Sequence, residues 1–324
     1  MCGIYMLKNK LEIILITYNR RKYLARTFEQ IFAENSPVRD FDITVLDNCS
    51  TDGTRELIEK YCKKFPNLQN IRHKRNIGGN ANICRAFEIA SKEYVWVLCD
   101  DDSYDWHNWP EMEQAVLSDL YDAVMVRTTD LYGTREKAKI FRQCTFLPSA
   151  IYKTKNIVEG LCANAYGNIS NIFPHLALAA HIININGNFY LPKEDIIKKA
   201  TSDITDFDIL KKKGYDCYIP EIVQNMYWAV GYINSTNLIR DKKIRAYIVN
   251  NTGNHGFCSF IYAFFRHNIK RYNNSLYNIC TVFCSLNFSQ RIKFVFIVIL
   301  LNIVYFPYRL KKSIGINKSS GTKF

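Results

Sequence analysis

Tyr94-Val95-Trp96-Val97-Leu98-Cys99-Asp100-Asp101-Asp102 passes without a break from five apolar residues to a cysteine and three adjacent acids. A short apolar run rich in β-branched and aromatic residues reads as a strand buried on both faces. Three carboxylates at its end repel one another and raise each other's pKa unless a positive charge sits among them. A divalent cation meets that need, and oxygen ligands suit Mg2+ or Mn2+. The triplet also reads as a solvated turn that caps the following segment.

Outward from this stretch the pattern repeats. Leu11-Glu12-Ile13-Ile14-Leu15-Ile16-Thr17 and Asp42-Ile43-Thr44-Val45-Leu46 predict two more strands, and residues 68–71 a weaker one. Between them, Leu24, Phe28, Ile31 and Phe32, then Leu57, Ile58, Tyr61 and Cys62, then Ile83, Phe87 and Ala90 fall at helical spacing. This βαβαβαβ order predicts an α/β fold, a parallel sheet flanked by helices. Ligands of such sheets bind beyond the carboxyl ends of the strands, and the polar residues cluster there, at 17–20, 47–52 and 100–102. Residues 106–235 are more mixed. Strands are predicted at 123–126, 189–191 and 217–219, and helices at 173–183 and 205–213.

The composition narrows the classes. With 324 residues, 48% hydrophobic and 23% charged, the chain is too apolar to be disordered and long enough for about two domains. Its 11 cysteines are odd in number, scattered and without a Cys-x-x-Cys pair, which points to free thiols in a reducing compartment. Residues 1–10 are too short for a secretory leader before the first strand. The charge sits at one end: residues 240–324 carry 14 Lys and Arg against the single acid Asp241, which accounts for the whole net charge of +13. Nucleic acid, anionic lipid and phosphorylated substrates all favour such a segment. No helix-turn-helix, zinc or RNA-recognition signature accompanies it, so nucleic acid is not the expected partner.

That basic end is also apolar. Phe257, Phe260, Ile261, Phe264 and Phe265 share one helical face, and residues 294–306 are apolar apart from Asn302. A helix over 294–308 would span roughly 22 Å, short of the ~30 Å bilayer core. Arg291 and Lys293 precede it, and Arg309, Lys311 and Lys312 follow. Cations at both ends suit a helix lying in the membrane interface, so peripheral membrane contact is expected through residues 257–312. A core helix and a weak spanning segment are the alternatives.

Four motifs now stand in order: Ile14-Leu15-Ile16-Thr17-Tyr18-Asn19-Arg20, Val45-Leu46-Asp47-Asn48-Cys49-Ser50-Thr51-Asp52-Gly53-Thr54, Arg75-Asn76-Ile77-Gly78-Gly79-Asn80, and Trp96-Val97-Leu98-Cys99-Asp100-Asp101-Asp102. Together they resemble the motifs of family 2 glycosyltransferases. The resemblance covers about residues 10–105. It implies a GT-A-type, Rossmann-like mixed sheet flanked by helices, here with a helical, basic C-terminal extension. Residues 1–105 would form the nucleotide-sugar-binding half, 106–238 the acceptor-binding half and 239–324 the extension.

The resemblance also implies roles. Thr17, Tyr18 and Asn19 would contact the nucleotide. Asp47 would accept from the base, with Asn48 shaping that pocket, and Arg75 and Asn76 would approach base or phosphates. Asp100 and Asp101 would face the donor, and Asp100 and Asp102 would hold Mn2+ or Mg2+ on its diphosphate. Cys99 stands where many relatives carry Asp or Gly, and which pair of the triplet works is left open. The implied reaction is inverting transfer from a nucleotide-diphosphate sugar, UDP-linked by expectation, to a glycan or polyprenyl-linked acceptor in surface polysaccharide synthesis. The implied place is the cytoplasmic face of the cytoplasmic membrane.

Inversion needs a general base. The family places a carboxylate about a dozen residues before a Gly-Tyr, and Asp203 stands at that spacing before Gly214-Tyr215, with Ser202 in place of the usual Glu. Asp206, Asp208, Glu194 and Asp195 are alternatives, and His175 is a non-carboxylate option. Two other readings compete. A sugar nucleotidyltransferase would want a Gly-rich phosphate loop after the first strand, which Thr17-Tyr18-Asn19-Arg20 is not. A non-catalytic protein binding nucleic acid or an anionic surface would leave the acid triplet unexplained.

Overall fold

The computed structural model describes residues 2–127, 136–158, 161–167, 169, 173–198, 230–251 and 275–313. After α1 (Cys2–Lys10), the chain alternates β1 (Leu11–Thr17), α2 (Arg21–Ile31), β2 (Ile43–Asp47), α3 (Thr54–Lys64), β3 (Leu68–Arg72), α4 (Gly79–Glu88) and β4 (Tyr94–Leu98). These strands are parallel. β1 takes β2 on one side and β4 on the other, and β2 takes β3. The chain thus winds outward from β1 to β3, then returns across β1 to form β4. The carboxyl ends of β1 and β4 bound the switch point at which an open α/β sheet leaves a crevice.

Successive residues of a strand face opposite sides of the sheet. In β4, Tyr94, Trp96 and Leu98 join Ile13, Leu15 and Phe28 on one face, while Val95 and Val97 join Ile14, Phe87 and Tyr152 on the other. Burial on both faces is why β1 and β4 read as unbroken apolar runs. Trp96 satisfies its buried indole N–H by donating to the Pro148 carbonyl at 2.9 Å.

The second half continues the same sheet. After β5 (Ser103–Tyr104) and α5 (Trp109–Leu117) come β6 (Ala123–Met125), α6 (Glu136–Gln143) and β7 (Ala150–Lys153). Then follow α7 (Lys155–Val158), α8 (Leu161–Gly167), α9 (Leu176–Asn184), β8 (Phe189–Tyr190) and β9 (Ile197–Lys198). The seven strands run β3-β2-β1-β4-β7-β6-β8. β7 is antiparallel to both β4 and β6, so the sheet is mixed. The residue pattern offers no sign of β7, because four residues are too few for alternation to separate a strand from a buried loop. α1 is likewise unannounced, and it packs on α5. β5 pairs with β9, Tyr104 opposite Ile197, which draws residues 194–198 beside the acid triplet.

Among the described residues that follow are the helices Lys242–Asn250, Ser275–Ser285 and Phe288–Ser313. The last has 26 residues and contains the whole 294–308 segment. Its Phe294 packs with Val249, Val282 and Leu286. Gln290 donates to the Ala246 carbonyl and to Asn250 Oδ1, both at 3.1 Å, and so fastens this helix to Lys242–Asn250. Among the described residues no helix is long and apolar enough to cross a membrane. The expected helix at 205–213, the strand at 217–219 and the apolar face of Phe257–Phe265 lie outside the described residues.

Candidate active site

Thr17 ends β1 and Asp100 follows β4. The Thr17 hydroxyl donates to Asp100 Oδ2 at 2.6 Å, and Thr27 of α2 donates to the Asp100 carbonyl at 2.9 Å. Arg20 places Nε 2.9 Å from Asp100 Oδ1 and Nη2 against Asp101 Oδ2, while its guanidinium lies over the Tyr23 ring. Tyr18, between Thr17 and Asn19 in the chain, is partly buried.

The loops after β1 and β2 are laced together. Asn19 adopts a φ of +53°, its N–H donates to Ser50 Oγ at 2.8 Å, and its Oδ1 accepts from the Thr51 N–H at 2.7 Å. Burial works against the Asp52 carboxylate, but hydrogen bonds from Thr54 and the Arg21 N–H hold it below the ordinary aspartate value.

Asp47 is fully buried. Its Oδ1 accepts from the Ser50 N–H at 2.9 Å and its Oδ2 pairs with Arg72 Nε at 3.1 Å. Arg72 is its register partner on β3 and also donates to the Ser50 carbonyl. Asp47 therefore organises the loop wall from inside. Arg72 is missing from the sequence-derived set, although a cation opposite the β2 terminus was a usable signal. Asn48 links this wall to the next loop, donating to Asn76 Oδ1 and accepting from the Ile77 N–H, each at 2.9 Å. Asn76 Oδ1 also takes the Gly78 N–H, and Gly78 sits at a φ of +88°, which favours glycine. Arg75 projects from this loop, exposed.

The acid triplet divides. Cys99 Sγ and carboxylate oxygens of Asp101 and Asp102 lie within 4.8 Å of one another. Asp100 is outside that group and is held by Thr17 and by Arg20, which also meets Asp101. Of the expected metal pair, Asp102 belongs to this group, with Cys99 and Asp101, and Asp100 does not. The physical reason is alternation past the strand end: Cys99 and Asp101 share a side, and the bend at 100–101 swings Asp102 to join them. Gln30 of α2 holds the turn, donating to the Asp102 carbonyl at 3.2 Å and accepting from the Tyr104 N–H at 3.0 Å.

The Tyr104 ring stacks on Trp106 with centroids 4.9 Å apart. Its hydroxyl oxygen is buried and makes no hydrogen bond among the described residues. Burial, then the charges of Asp102 and Cys99, push that phenol well up. Burial, then Asp102, Asp101 and Asp100, likewise hold the Cys99 thiol in its protonated form. Neither Tyr104 nor Gln30 was singled out in the sequence.

The base candidates separate as well. Asp203 lies outside the described residues, as do Asp206 and Asp208. His175 precedes α9, only 2% exposed, with its ring edge-on to Phe173. Burial pushes the imidazole down to about 4. Its burial and lowered pKa are those of a core histidine. Glu194 accepts from Asn108 Nδ2 at 2.7 Å, and Asp195 lies 3.7 Å from Arg127 Nε. The β5–β9 pairing sets both near the triplet's outer side.

The sequence profile of the family described as "Glycosyl transferase family 2" matches residues 12–166. The chain is 25% identical over 161 residues to the Staphylococcus aureus poly(ribitol-phosphate) beta-N-acetylglucosaminyltransferase TarS, a match covering 45% of this chain and 28% of that protein. It thus spans less than a third of that relative's length. The crystal structure of S. aureus TarS 1–349 in complex with UDP superposes with a TM-score of 0.53 at 15% identity, covering 88% of this chain and 90% of that one. The Pyrobaculum calidifontis mannosyltransferase in complex with GDP-Man and Mn2+ gives a TM-score of 0.53 at 15% identity, covering 94% and 83%. At such identities these likenesses establish the fold, a GT-A-type mixed sheet with helices on both faces. The profile runs from β1 through β7 to α8, across every strand end that builds the crevice, and through those residues the chain is similar to glycosyl transferase family 2.

Proposed function

We propose that this chain transfers a glycosyl group from a nucleoside-diphosphate sugar, UDP-linked, to a surface glycan, polyol-phosphate or polyprenyl-linked acceptor, with inversion. The observation that carries the reading is the crevice itself. At the β1/β4 switch point, Thr17 and Asp100 clasp the two strand ends, and Cys99, Asp101 and Asp102 converge beside them.

The residues present fit a divalent cation, because two carboxylates and a sulfur converge next to a buried hydroxyl that lacks a partner among the described residues. Asp101 and Asp102 would hold Mn2+ or Mg2+. When bound, such an ion supplies Lewis-acid stabilisation of the departing nucleoside diphosphate. Asp100, held by Thr17, Thr27 and Arg20, fixes the strand end on which the other two acids ride. Arg20 offers the donor diphosphate a fork of N–H donors at the crevice mouth. The loop wall of Asn19, Asn48 and Asn76, pinned from within by Asp47 and Arg72, shapes the nucleotide pocket. Asp203 takes the proton of the acceptor hydroxyl as it attacks the anomeric carbon.

The acceptor is met at a membrane surface. Phe288, Ile292, Phe296, Ile299 and Ile303 are exposed along one side of the Phe288–Ser313 helix, at spacings of three and four. An apolar stripe flanked by basic residues suits the interface of an anionic leaflet. This supports peripheral association on the cytoplasmic face through residues 257–312.

Ligand-induced thermal stabilisation tests the transferase reading. UDP-, GDP-, CMP- and dTDP-sugars would each be screened with Mn2+, Mg2+ or chelator. A ligand at 100 times its Kd adds about 2.7 kcal/mol. Stabilisation by a UDP-sugar that disappears with chelator is expected. No shift with any donor in the folded protein would overturn the reading.

A further inference from the structure

We propose that Cys99 is a metal ligand: its sulfur joins the carboxylates of Asp101 and Asp102 on the donor-site cation, so that this site takes thiophilic ions such as Cd2+ and Zn2+. The inference rests on the cation-assisted transferase reading above and adds to it a residue and an ion preference.

The first ground is distance. Metal–sulfur bonds of about 2.3 Å and metal–oxygen bonds of about 2.0–2.2 Å leave two ligand atoms at most about 4.5 Å apart. The sulfur and the two carboxylate oxygens already lie within 4.8 Å of one another. Side-chain rotation that brings them closer together closes them on one ion.

The second ground is the orphaned Tyr104 hydroxyl. It is buried, makes no hydrogen bond among the described residues, and belongs to a residue two positions after Asp102. A buried hydroxyl without a partner is costly. A hydrated cation on Asp102 would bring a water within its reach.

The third ground is the donor set. Both oxygens of Asp100 are engaged, by Thr17 and Arg20, while Asp101 meets Arg20 through Oδ2, and the atoms that gather within reach of one ion are two carboxylate oxygens and one sulfur. Oxygen-only sites suit Mg2+ and Mn2+, whereas a thiolate shifts preference toward softer ions. As the sulfur–metal bond forms, the thiol proton leaves to solvent and the sulfur supplies the electron pair, with no change of oxidation state. The competing account makes Cys99 a small apolar filler packed against the core, as buried cysteines often are.

The test titrates the full-length chain with Cd2+ and follows the sulfur-to-cadmium charge-transfer band in the ultraviolet. Because the chain has 11 cysteines, the informative quantity is the difference from Cys99→Ser. One equivalent of saturable band in the wild type, missing from Cys99→Ser, is the expected result. An identical band in Cys99→Ser overturns the proposal. Should that variant fail to fold, alkylation of the wild type mapped by mass spectrometry serves instead. Cd2+ is expected to shield Cys99 and to leave Cys62 reactive, and equal labelling of Cys99 with and without Cd2+ overturns the proposal.

A Mn2+ arm separates the two readings. If Mn2+-dependent stabilisation by UDP-sugar persists while the cadmium band survives in Cys99→Ser, only the sulfur ligand falls. If the wild type shows neither, the cation-assisted transferase reading falls with it.

Discussion

The Thr17 hydroxyl donates to Asp100 Oδ2 at 2.6 Å, joining the ends of two adjacent strands across 83 residues of sequence. Both groups are buried, so the bond is made in a low dielectric where leaving a partner unmet is expensive. Hydrogen bonds to charged groups contribute about 1.5–3 kcal/mol. Thr17→Val is expected to lose about that much stability in denaturant unfolding. It should also weaken donor-induced stabilisation, because the crevice wall loosens.

Arg20 bridges Asp100 and Asp101. Its side chain is mostly buried, so removing it strands a charge, at a cost of about 3–5 kcal/mol for a buried pair. Arg20→Met should therefore unfold at markedly lower denaturant. Mn2+ should recover part of the loss by standing in for the missing positive charge. A variant as stable as the wild type without metal would contradict this account of the bridge.

His175 makes stability depend on pH. Its folded value of about 4 lies below the ordinary 6.5, so between those values the unfolded chain binds more protons than the folded one. The contribution is fully present above pH 6.5, falls as pH drops through the window and is gone below about 4, amounting to about 3 kcal/mol. His175→Leu should flatten that part of the acid limb in a stability–pH profile. Sugar transfer should persist in the same variant, since His175 is buried in the core.

Asp203 carries the catalytic prediction. Removing a general base lowers turnover by about 10²- to 10⁴-fold. Asp203→Asn should lose transfer to that extent and keep its thermal stabilisation by donor and Mn2+. Normal turnover would move the assignment to Glu194 or Asp195.

The Phe288–Ser313 helix should bind anionic vesicles. Ile299→Glu with Ile303→Glu puts two charges on its exposed side without touching Phe294 or Gln290, which face inward. Flotation with phosphatidylglycerol-containing vesicles should fall sharply in this variant. Binding by the wild type should weaken with added salt, as screening of its basic flanks requires.

Much of the first hundred residues was legible. The expected strand at 11–17 is β1 to the residue, and the expected strand at 94–98 is β4. Both are buried on two faces, so hydrophobic content alone marks them. The order of strands and helices placed the polar clusters at one edge, and Thr17, Asn19, Asn48, Asn76 and the acid triplet do line that edge. Legibility ended where contacts are long-range. Arg72 acts through its register with Asp47, and register is not written in composition. β7 is short and enters antiparallel, against the run of parallel pairs that precedes it.

By itself, then, the sequence determined the parallel half of the sheet and the edge at which the chemistry would gather. Periodic burial and strand-end polarity are local properties that each segment carries alone. Only the tertiary structure decided which acids share a space. Asp100 is drawn to Thr17 and Arg20, the backbone after Asp102 is held by Gln30, and Cys99 is left facing Asp101 and Asp102. Those directions depend on partners that lie 83 and 72 residues away in the chain, as with Thr17 and Gln30. No spacing within the triplet encodes them, because three adjacent aspartates are chemically alike until the fold gives each a different neighbour.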